Sequence, residues 1–331
     1  MRMLRSITEH CRADSPGCIV GGIAPQNPGD LSPTPTQHAK LQGMTSPIEP
    51  APETFQGHDG LRLAADRWTP QTAPKLGTVL FLHGGGQTRH SWGRTARRIA
   101  ESRWEAITLD ARGHGDSEWA PSGKYALDDF ADDLRAVVAA IGEPPVLIGA
   151  SLGGITSLVV EGEHPGTSTG LVLVDIAPRI EPSGRDKIIK FMASAPNGFA
   201  SLEEVADAVQ AYNPNRERPR NLEGLKKNVR QRPDGRWYWH WDPRFLDVGD
   251  EPKRNVNEDR LYDAARNVQV PTMLVRGKES DVVTPEGAAE LLELIPTASS
   301  VEVAAGHMVA GDDNDIFTTR LSEFLSERVR G

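Results

Sequence analysis

A serine between two glycines is the residue of this sequence best suited to act as a nucleophile. The motif Gly149-Ala-Ser151-Leu-Gly153 follows a short apolar run and precedes a segment with helical spacing. Such a pattern predicts a sharp turn from strand to helix, in which the glycines avoid clashes and the serine takes a strained backbone conformation. The hydroxyl of Ser151 would then stand clear of the sheet edge. The free N–H groups of the helix start would face any developing negative charge.

A base must accompany this serine, because a hydroxyl is a poor nucleophile at neutral pH. His307 lies near the end of the chain, just past the predicted strand Ser300–Val303. The other candidates have structural interpretations, since His83 belongs to a glycine-rich loop, His114 lies in a turn and His240 lies in a predicted insertion. We therefore predict that His307 is the base.

A carboxylate must hold the histidine in one tautomer and stabilise its protonated form. Asp281 lies just beyond the predicted strand Thr272–Val275, which is the usual place for this acid, and is the predicted partner. Asp175 ends the preceding predicted strand and could also reach the histidine, and Glu279 is a third candidate. Each of the three could instead be an ordinary loop residue.

A run of glycines after another predicted strand could supply hydrogen-bond donors. The loop His83-Gly-Gly-Gly86 follows the apolar run Thr78–Leu82. In this position a backbone N–H would bind the oxyanion of a tetrahedral intermediate, together with the N–H of the residue after the nucleophile. This assigns the two donors to Gly85 and Leu152. A phosphate-binding loop is the alternative, but the lysine and serine of a P-loop do not follow.

The elements that must position these residues alternate along the chain. Short apolar runs typical of buried strands are separated by segments of helical spacing. The alternation predicts an α/β fold with a mostly parallel central sheet and helices on both faces. We predict a disordered tail over residues 1–50, a core over 51–177 and 269–331, and a helical cap inserted over 178–268, after a late sheet strand.

The predicted cap contains a tryptophan-rich stretch. Trp237, Trp239 and Trp241 alternate, so their rings could form an aromatic wall over the substrate or could instead anchor the cap to the core. We predict substrate contacts for Trp239, for Trp92 close behind the glycine-rich loop, and for Met308 next to the predicted base.

Charge and composition restrict the partners. The 331 residues carry a formal net charge of −9, which argues against nucleic acid or an anionic membrane surface, because both bind basic patches. No apolar run approaches the ~18 residues of a membrane span, and the N-terminus lacks the apolar segment of a secretory signal. Both cysteines lie in the predicted tail, so we expect a cytoplasmic protein. We expect a monomer or homodimer without metal or organic cofactor.

The motifs and their order resemble those of the α/β-hydrolase superfamily, from about residue 53 to residue 331. They are His83-Gly84 with Trp92 close behind, Asp110-Ala-Arg-Gly-His-Gly-Asp-Ser117, Gly149-Ala-Ser-Leu-Gly153, Ser280-Asp281 and Gly306-His307. The group that the chain looks most like includes carboxylesterases, lactonases, C–C bond hydrolases and cofactor-free haloperoxidases. Epoxide hydrolases and haloalkane dehalogenases are similar in fold but have an aspartate nucleophile, which Ser151 replaces here.

We therefore predict a serine hydrolase that acts on a small carboxylic ester or lactone through an acyl-enzyme intermediate. The same three residues could instead carry out perhydrolysis or cleavage of a C–C bond. A ligand-binding protein without catalytic activity is a further alternative on this fold. The presence of all three candidate residues argues against it.

Overall fold

A central sheet of eight strands organises the part of the chain that the structure describes. This computed structural model describes residues 47–214, 218, 221–246, 257–307, 309 and 315–329. In chain order the strands are β1 (Ala51–Gln56), β2 (Arg62–Trp68), β3 (Thr78–Leu82), β4 (Glu105–Leu109), β5 (Val146–Ala150), β6 (Gly170–Val174), β7 (Val229–Gln231), β8 (Trp237–Trp239), β9 (Thr272–Gly277) and β10 (Ala298–Val303). All except β7 and β8 belong to the sheet.

The sheet is mostly parallel, as predicted. Its strand order is β1-β2-β4-β3-β5-β6-β9-β10. Strand β2 pairs antiparallel with β1 and β4, and every pair from β4 to β10 is parallel. Every residue of β3, β5 and β6 is buried, which explains why these strands are continuous apolar runs rather than alternating ones.

Helices cover both faces of the sheet, which confirms the predicted fold class. They are α1 (Gly93–Glu101), α2 (Leu127–Ile141), α3 (Leu152–Glu163), α4 (Pro182–Met192), α5 (Leu202–Tyr212), α6 (Glu258–Asn267), α7 (Pro285–Leu294) and α8 (Asp315–Phe324). Helices α1 and α8 pack on one face, and α2, α3, α6 and α7 pack on the other. Successive residues of β3 contribute to the two faces in turn, because side chains alternate along a strand.

The packed core begins slightly earlier in the chain than the predicted boundary at residue 51. Residues 1–46 of the predicted tail lie outside the described residues, but Ile48 is buried against the core. Strand β1 was not predicted, because Phe55 is its one buried residue and the alternation of apolar and polar residues is weak. The sheet therefore begins at Ala51, directly after the predicted tail.

The segment predicted as a helical cap is more varied than expected. It contains α4, α5 and the antiparallel hairpin of β7 and β8, so it is not purely helical. Helix α6 lies within the predicted cap range but packs in the core layer through Leu261, Ala264 and Ala265. A third apolar cluster, which includes Phe130, Met192 and Phe245, joins α4 and the hairpin region to the core.

Within the described ranges, no helix combines the length and the apolar character needed to cross a bilayer.

Candidate functional site

The candidate nucleophile lies at the sharp turn that its motif predicts. Ser151 follows β5 directly, precedes α3 and has φ 47° and ψ −114°, a backbone conformation that costs non-glycine residues about 1–3 kcal/mol. A Cβ at Gly149 would overlap the carbonyl of Gly153, and a Cβ at Gly153 would lie 2.5 Å from the Leu82 oxygen. Only glycine fits at these two positions. The hydrogen bond from the Ser151 N–H to Val174 ties the turn to β6.

The candidate base contacts an aspartate on the neighbouring strand. The Nδ1 atom of His307 lies 2.7 Å from Oδ2 of Asp175, and both side chains are almost fully buried. Asp175 follows β6 directly, at the position next to Ser151 across the parallel pair, because Ala150 and Val174 are partners in the register. With Nδ1–H donated to the carboxylate, the Nε2 atom of His307 is the nitrogen that can accept a proton.

The structure therefore corrects the predicted acid. The carboxylate of Asp281 lies 2.7 Å from Nζ of Lys187 in α4, and both side chains are about half exposed. An exposed carboxylate in an ion pair with lysine is poorly placed to orient a buried histidine. Asp175, the second candidate, occupies that position instead. Glu279, the third candidate, contacts the histidine segment through its backbone, since its N–H donates to Ala305.

Ser280 is a residue of this site that the sequence did not reveal. Its hydroxyl donates to Oδ2 of Asp175 at 2.6 Å, the same oxygen that contacts His307. The other carboxylate oxygen of Asp175 accepts the N–H of Gly277 at 3.0 Å. Hydrogen bonds at both oxygens hold the Asp175 carboxylate in one orientation. The carboxylate in turn fixes the orientation of the His307 ring.

The loop after β9 explains why Asp281 does not reach His307 although its neighbour Ser280 belongs to the site. Ser280 and Asp281 are adjacent, but Ser280 turns toward Asp175 while Asp281 turns toward solvent. A Cβ at Gly277 would lie 2.5 Å from the Ala305 carbonyl, so glycine allows the histidine loop to approach β9. Sequence alone marks this loop as acid-bearing but does not give the direction of each side chain. A polar residue directly after β6 was the available signal for Asp175.

The glycine-rich loop lies against the nucleophile turn, since a Cβ at Gly84 would be 3.2 Å from the Ser151 Cβ. The N–H of Gly84 donates to Oε1 of Gln87 at 3.0 Å, and the His83 carbonyl accepts the N–H of Gly153 at 3.2 Å. By contrast, the N–H groups of Gly85 and Leu152 donate no hydrogen bond to any residue in the described part of the chain. These two groups are the predicted donors to an oxyanion.

Three buried histidines, His83, His114 and His240, lie in or beside the glycine-rich loop. His83 donates from Nδ1 to the Gly84 carbonyl at 2.8 Å and accepts the Ala111 N–H at Nε2. Burial lowers the pKa of His83 to about 4, and burial together with the nearby His83 lowers the pKa of His114 to about 3. Burial also lowers the pKa of His240, whose Nδ1 accepts the Gly115 N–H. All three rings are neutral at pH 7 and hold structure rather than accept a substrate proton.

These histidines predict a loss of stability in mild acid. Between pH 6.5 and pH 4 the unfolded chain protonates His83 and the folded chain does not, so the free energy of unfolding falls as pH falls. At pH 4.5 this residue alone should cost about 2–3 kcal/mol relative to pH 7. Urea unfolding at the two pH values measures the difference. The difference should shrink in His83→Gln and persist in the exposed control His164→Gln, and equal stability at both pH values would contradict it.

The structure contradicts one of the three predicted substrate contacts, does not describe the second and places the third at a cavity. Trp92 is fully buried and packs between Phe81 and Phe317 in the core, with ring centroids 5.3 Å and 5.9 Å away, so the predicted substrate contact is wrong. It ends a short 3-10 helix and directly precedes α1, and it packs in the same core cluster as Ala96 and Ile99 of that helix. Met308 lies outside the described residues. Trp239 lines a cavity under the cap.

That cavity, called the cap cavity here, has a volume of about 210 Å³. It lies between the glycine-rich loop and the cap. Its walls include Gly86, Gln87, Phe191, Tyr212, Trp239 and Trp241. Trp239 also packs edge-on against Phe199 and donates from Nε1 to the Ser194 carbonyl, so the ring both lines the cavity and anchors the cap.

No metal site emerges from the residues that the structure describes. Among them, no group of three or more histidine, cysteine, aspartate or glutamate side chains is arranged to hold an ion. Ser151, His307 and Asp175 are the candidate reactive groups, and the N–H groups of Gly85 and Leu152 are the candidate donors. An arrangement of this kind can attack a carbonyl carbon and stabilise the resulting oxyanion.

Comparisons with known proteins agree with this architecture. The family model described as alpha/beta hydrolase fold matches residues 77–313. The chain is 28% identical over 284 residues to an esterase of Mycobacterium tuberculosis, covering 83% of this chain and 89% of that protein. It is 25% identical over 263 residues to a 3-hydroxybutyrate-oligomer hydrolase of Cupriavidus necator, covering 74% and 87%. A solved alpha/beta hydrolase from Novosphingobium aromaticivorans matches with a TM-score of 0.72 at 25% identity, covering 84% and 99%. The chain therefore belongs to the alpha/beta hydrolase fold family, and it is a hydrolase.

Proposed function

We propose that this hydrolase cleaves small carboxylic esters, lactones included, through an acyl-enzyme on Ser151. The observation that carries the proposal is the strained Ser151 turn, one strand away from an aspartate that contacts His307. Backbone strain of this kind is concentrated at functional sites, which supports a use for this serine. The esterase and the oligomer hydrolase among its relatives support the same class of reaction.

The proposed reaction has two halves. Ser151 Oγ attacks the carbonyl carbon while Nε2 of His307 takes the hydroxyl proton, and Asp175 stabilises the imidazolium that forms. The oxyanion binds the N–H groups of Gly85 and Leu152. The carbonyl then re-forms, and the bond to the alcohol oxygen breaks as His307 returns the proton to that oxygen. Water repeats the sequence on the acyl-enzyme, releasing the acid and regenerating Ser151.

A fluorophosphonate probe tests the activated serine directly. An unassisted serine reacts slowly, so rapid labelling identifies a hydroxyl with a working base. We expect one phosphonyl group per chain, on the peptide that contains Ser151, by mass spectrometry. His307→Ala and heat-denatured protein should both label far more slowly.

The same preparation should hydrolyse p-nitrophenyl esters, with short and medium acyl chains preferred. The cap cavity of about 210 Å³ is smaller than typical pockets for drug-sized ligands, which favours small substrates. A folded protein that neither labels nor hydrolyses any ester in the panel would overturn the proposal. Efficient hydrolysis of emulsified long-chain triglyceride would overturn the assignment to small esters.

A further inference from the structure

Aromatic rings form much of the wall of the cap cavity. Two pairs of stacked rings line it: Trp239 with Trp241, at a centroid distance of 4.9 Å, and Phe191 with Tyr212, at 4.3 Å. Aromatic walls of this kind exclude water and strengthen any electrostatic interaction beside them. The charged side chains around the cavity decide whether it favours an anion or a cation.

Lys227 is the one lysine or arginine among the described residues that line the cavity, and it is exposed to solvent. It lines the cavity, and its ammonium group forms no ion pair or hydrogen bond with any residue in the described ranges. None of the described residues lining the cavity is an aspartate or a glutamate. His90 also lines it, but burial and the nearby Arg89 lower the pKa of that ring, so it adds little positive charge at pH 7.

Two carboxylates near residues that line the cavity contact other cations, Asp66 with Arg89 and Asp281 with Lys187. Asp66 lies 3.7 Å from His90 and 3.1 Å from Arg89. On the opposite side, the Lys187 ammonium lies over the Tyr212 ring and pairs with Asp281 at 2.7 Å. Lys227 therefore keeps its charge available for a ligand.

Neutral polar groups surround the same space. Asn213 and Asn228 line the cavity together with Lys227. An amide side chain carries two N–H donors, and a carboxylate has about four lone-pair sites that accept hydrogen bonds. One ammonium with two amides matches a single carboxylate better than it matches a neutral alkyl chain.

The cavity is next to the place where the ester carbonyl would bind. Gly86 lines it and directly follows Gly85, whose N–H is the proposed donor to the oxyanion. Consecutive Cα atoms are about 3.8 Å apart, so a substrate held at Gly85 needs a chain of only a few atoms to enter the cavity. The side chain of Met192 packs against the same glycines, and its flexible thioether can adapt to such a chain.

We propose that the cap cavity binds a carboxylate of the substrate through Lys227, so that the preferred substrates are small esters that also carry a free carboxylate. This inference rests on the proposed ester hydrolysis at Ser151. It adds the substrate class and names Lys227 as the residue that selects it.

Monomethyl and dimethyl glutarate test the selection, because they differ only in whether the distal carboxylate is free. The wild type should have the higher kcat/KM for the monomethyl ester. In Lys227→Gln the ratio of kcat/KM for the monomethyl ester to that for the dimethyl ester should fall about tenfold, mainly through KM, because a positioned charge-assisted contact is lost. Lys227→Arg should keep most of the ratio.

Lys226→Gln is the matched control, since Lys226 is adjacent, pairs with Glu223 at 2.7 Å and does not line the cavity. It should keep the wild-type ratio. A ratio that does not fall in Lys227→Gln, or that falls equally in Lys226→Gln, would overturn the inference.

A binding measurement separates this inference from the reaction itself. Calorimetric titration of Ser151→Ala with monomethyl glutarate should give a dissociation constant about tenfold lower than in the double variant Ser151→Ala, Lys227→Gln. Dimethyl glutarate should bind the two proteins with similar strength. If binding depends on Lys227 but the wild type hydrolyses neither ester, the proposed function alone is contradicted. If Ser151→Ala binds both ligands equally, the carboxylate site is contradicted.

Discussion

Ser151→Ala should lower kcat for p-nitrophenyl butyrate by about 10⁶, because the variant has no atom that can form the acyl-enzyme. The residual rate would come from the backbone donors and from substrate binding alone. Alanine keeps a Cβ and therefore the same strained backbone, so the melting temperature should change by only a few degrees. Initial rates with and without the substitution, and thermal unfolding of both proteins, measure the two effects.

Ser157, in the helix that follows the nucleophile turn, provides the control. The Ser157 hydroxyl is buried and donates to the Gly153 carbonyl at 2.7 Å, so it contacts the turn but points away from the carbonyl-binding groups. Ser157→Ala should cost stability of about 1 kcal/mol and leave kcat within a few-fold of the wild type. Near-wild-type turnover in Ser151→Ala would move the nucleophile elsewhere.

The sheet and the nucleophile turn could be predicted because each is encoded locally. Buried parallel strands require continuous apolar runs, and β3, β5 and β6 are such runs. The Ser151 turn requires glycine at Gly149 and Gly153, so its signature lies within five residues. Strand β1 escaped prediction because one buried side chain, Phe55, leaves almost no periodic signal.

Contacts between distant loops could not be predicted in the same way. Asp175, Ser280 and His307 come from three loops whose side-chain directions depend on how β6, β9 and β10 align. Trp92 was misassigned because sequence proximity to the glycine-rich loop does not distinguish a core ring from a pocket ring. The cap cavity is formed where α4, α5, β8 and the glycine-rich loop meet, and the sequence does not give that packing, so the role proposed for Lys227 required the assembled structure.

Asp175→Asn should lower kcat by about 10⁴, the size expected when a catalytic histidine loses the acid that fixes its tautomer. The amide could present its NH₂ group to Nδ1 of His307, which would favour the tautomer with the proton on Nε2 and block proton transfer from Ser151. KM should change little, because Asp175 is buried and does not face the proposed carbonyl site.

Asp281→Asn is the matched substitution in the neighbouring loop and should lower kcat less than threefold. It removes only a half-exposed ion pair with Lys187, and such pairs contribute little, about 0–1 kcal/mol.

Ser280→Ala should lower kcat by about 10–100-fold, which is between the effects of Asp281→Asn and Asp175→Asn. It removes the hydroxyl that, with the Gly277 N–H, holds the Asp175 carboxylate. If Ser280 positions the base, its loss should also shift the acidic limb of the kcat–pH profile, whereas a merely structural serine would leave the profile in place. Kinetics of the three variants across pH 5–9 give the ranking. A larger loss in Asp281→Asn than in Asp175→Asn would return the acid to the loop after β9.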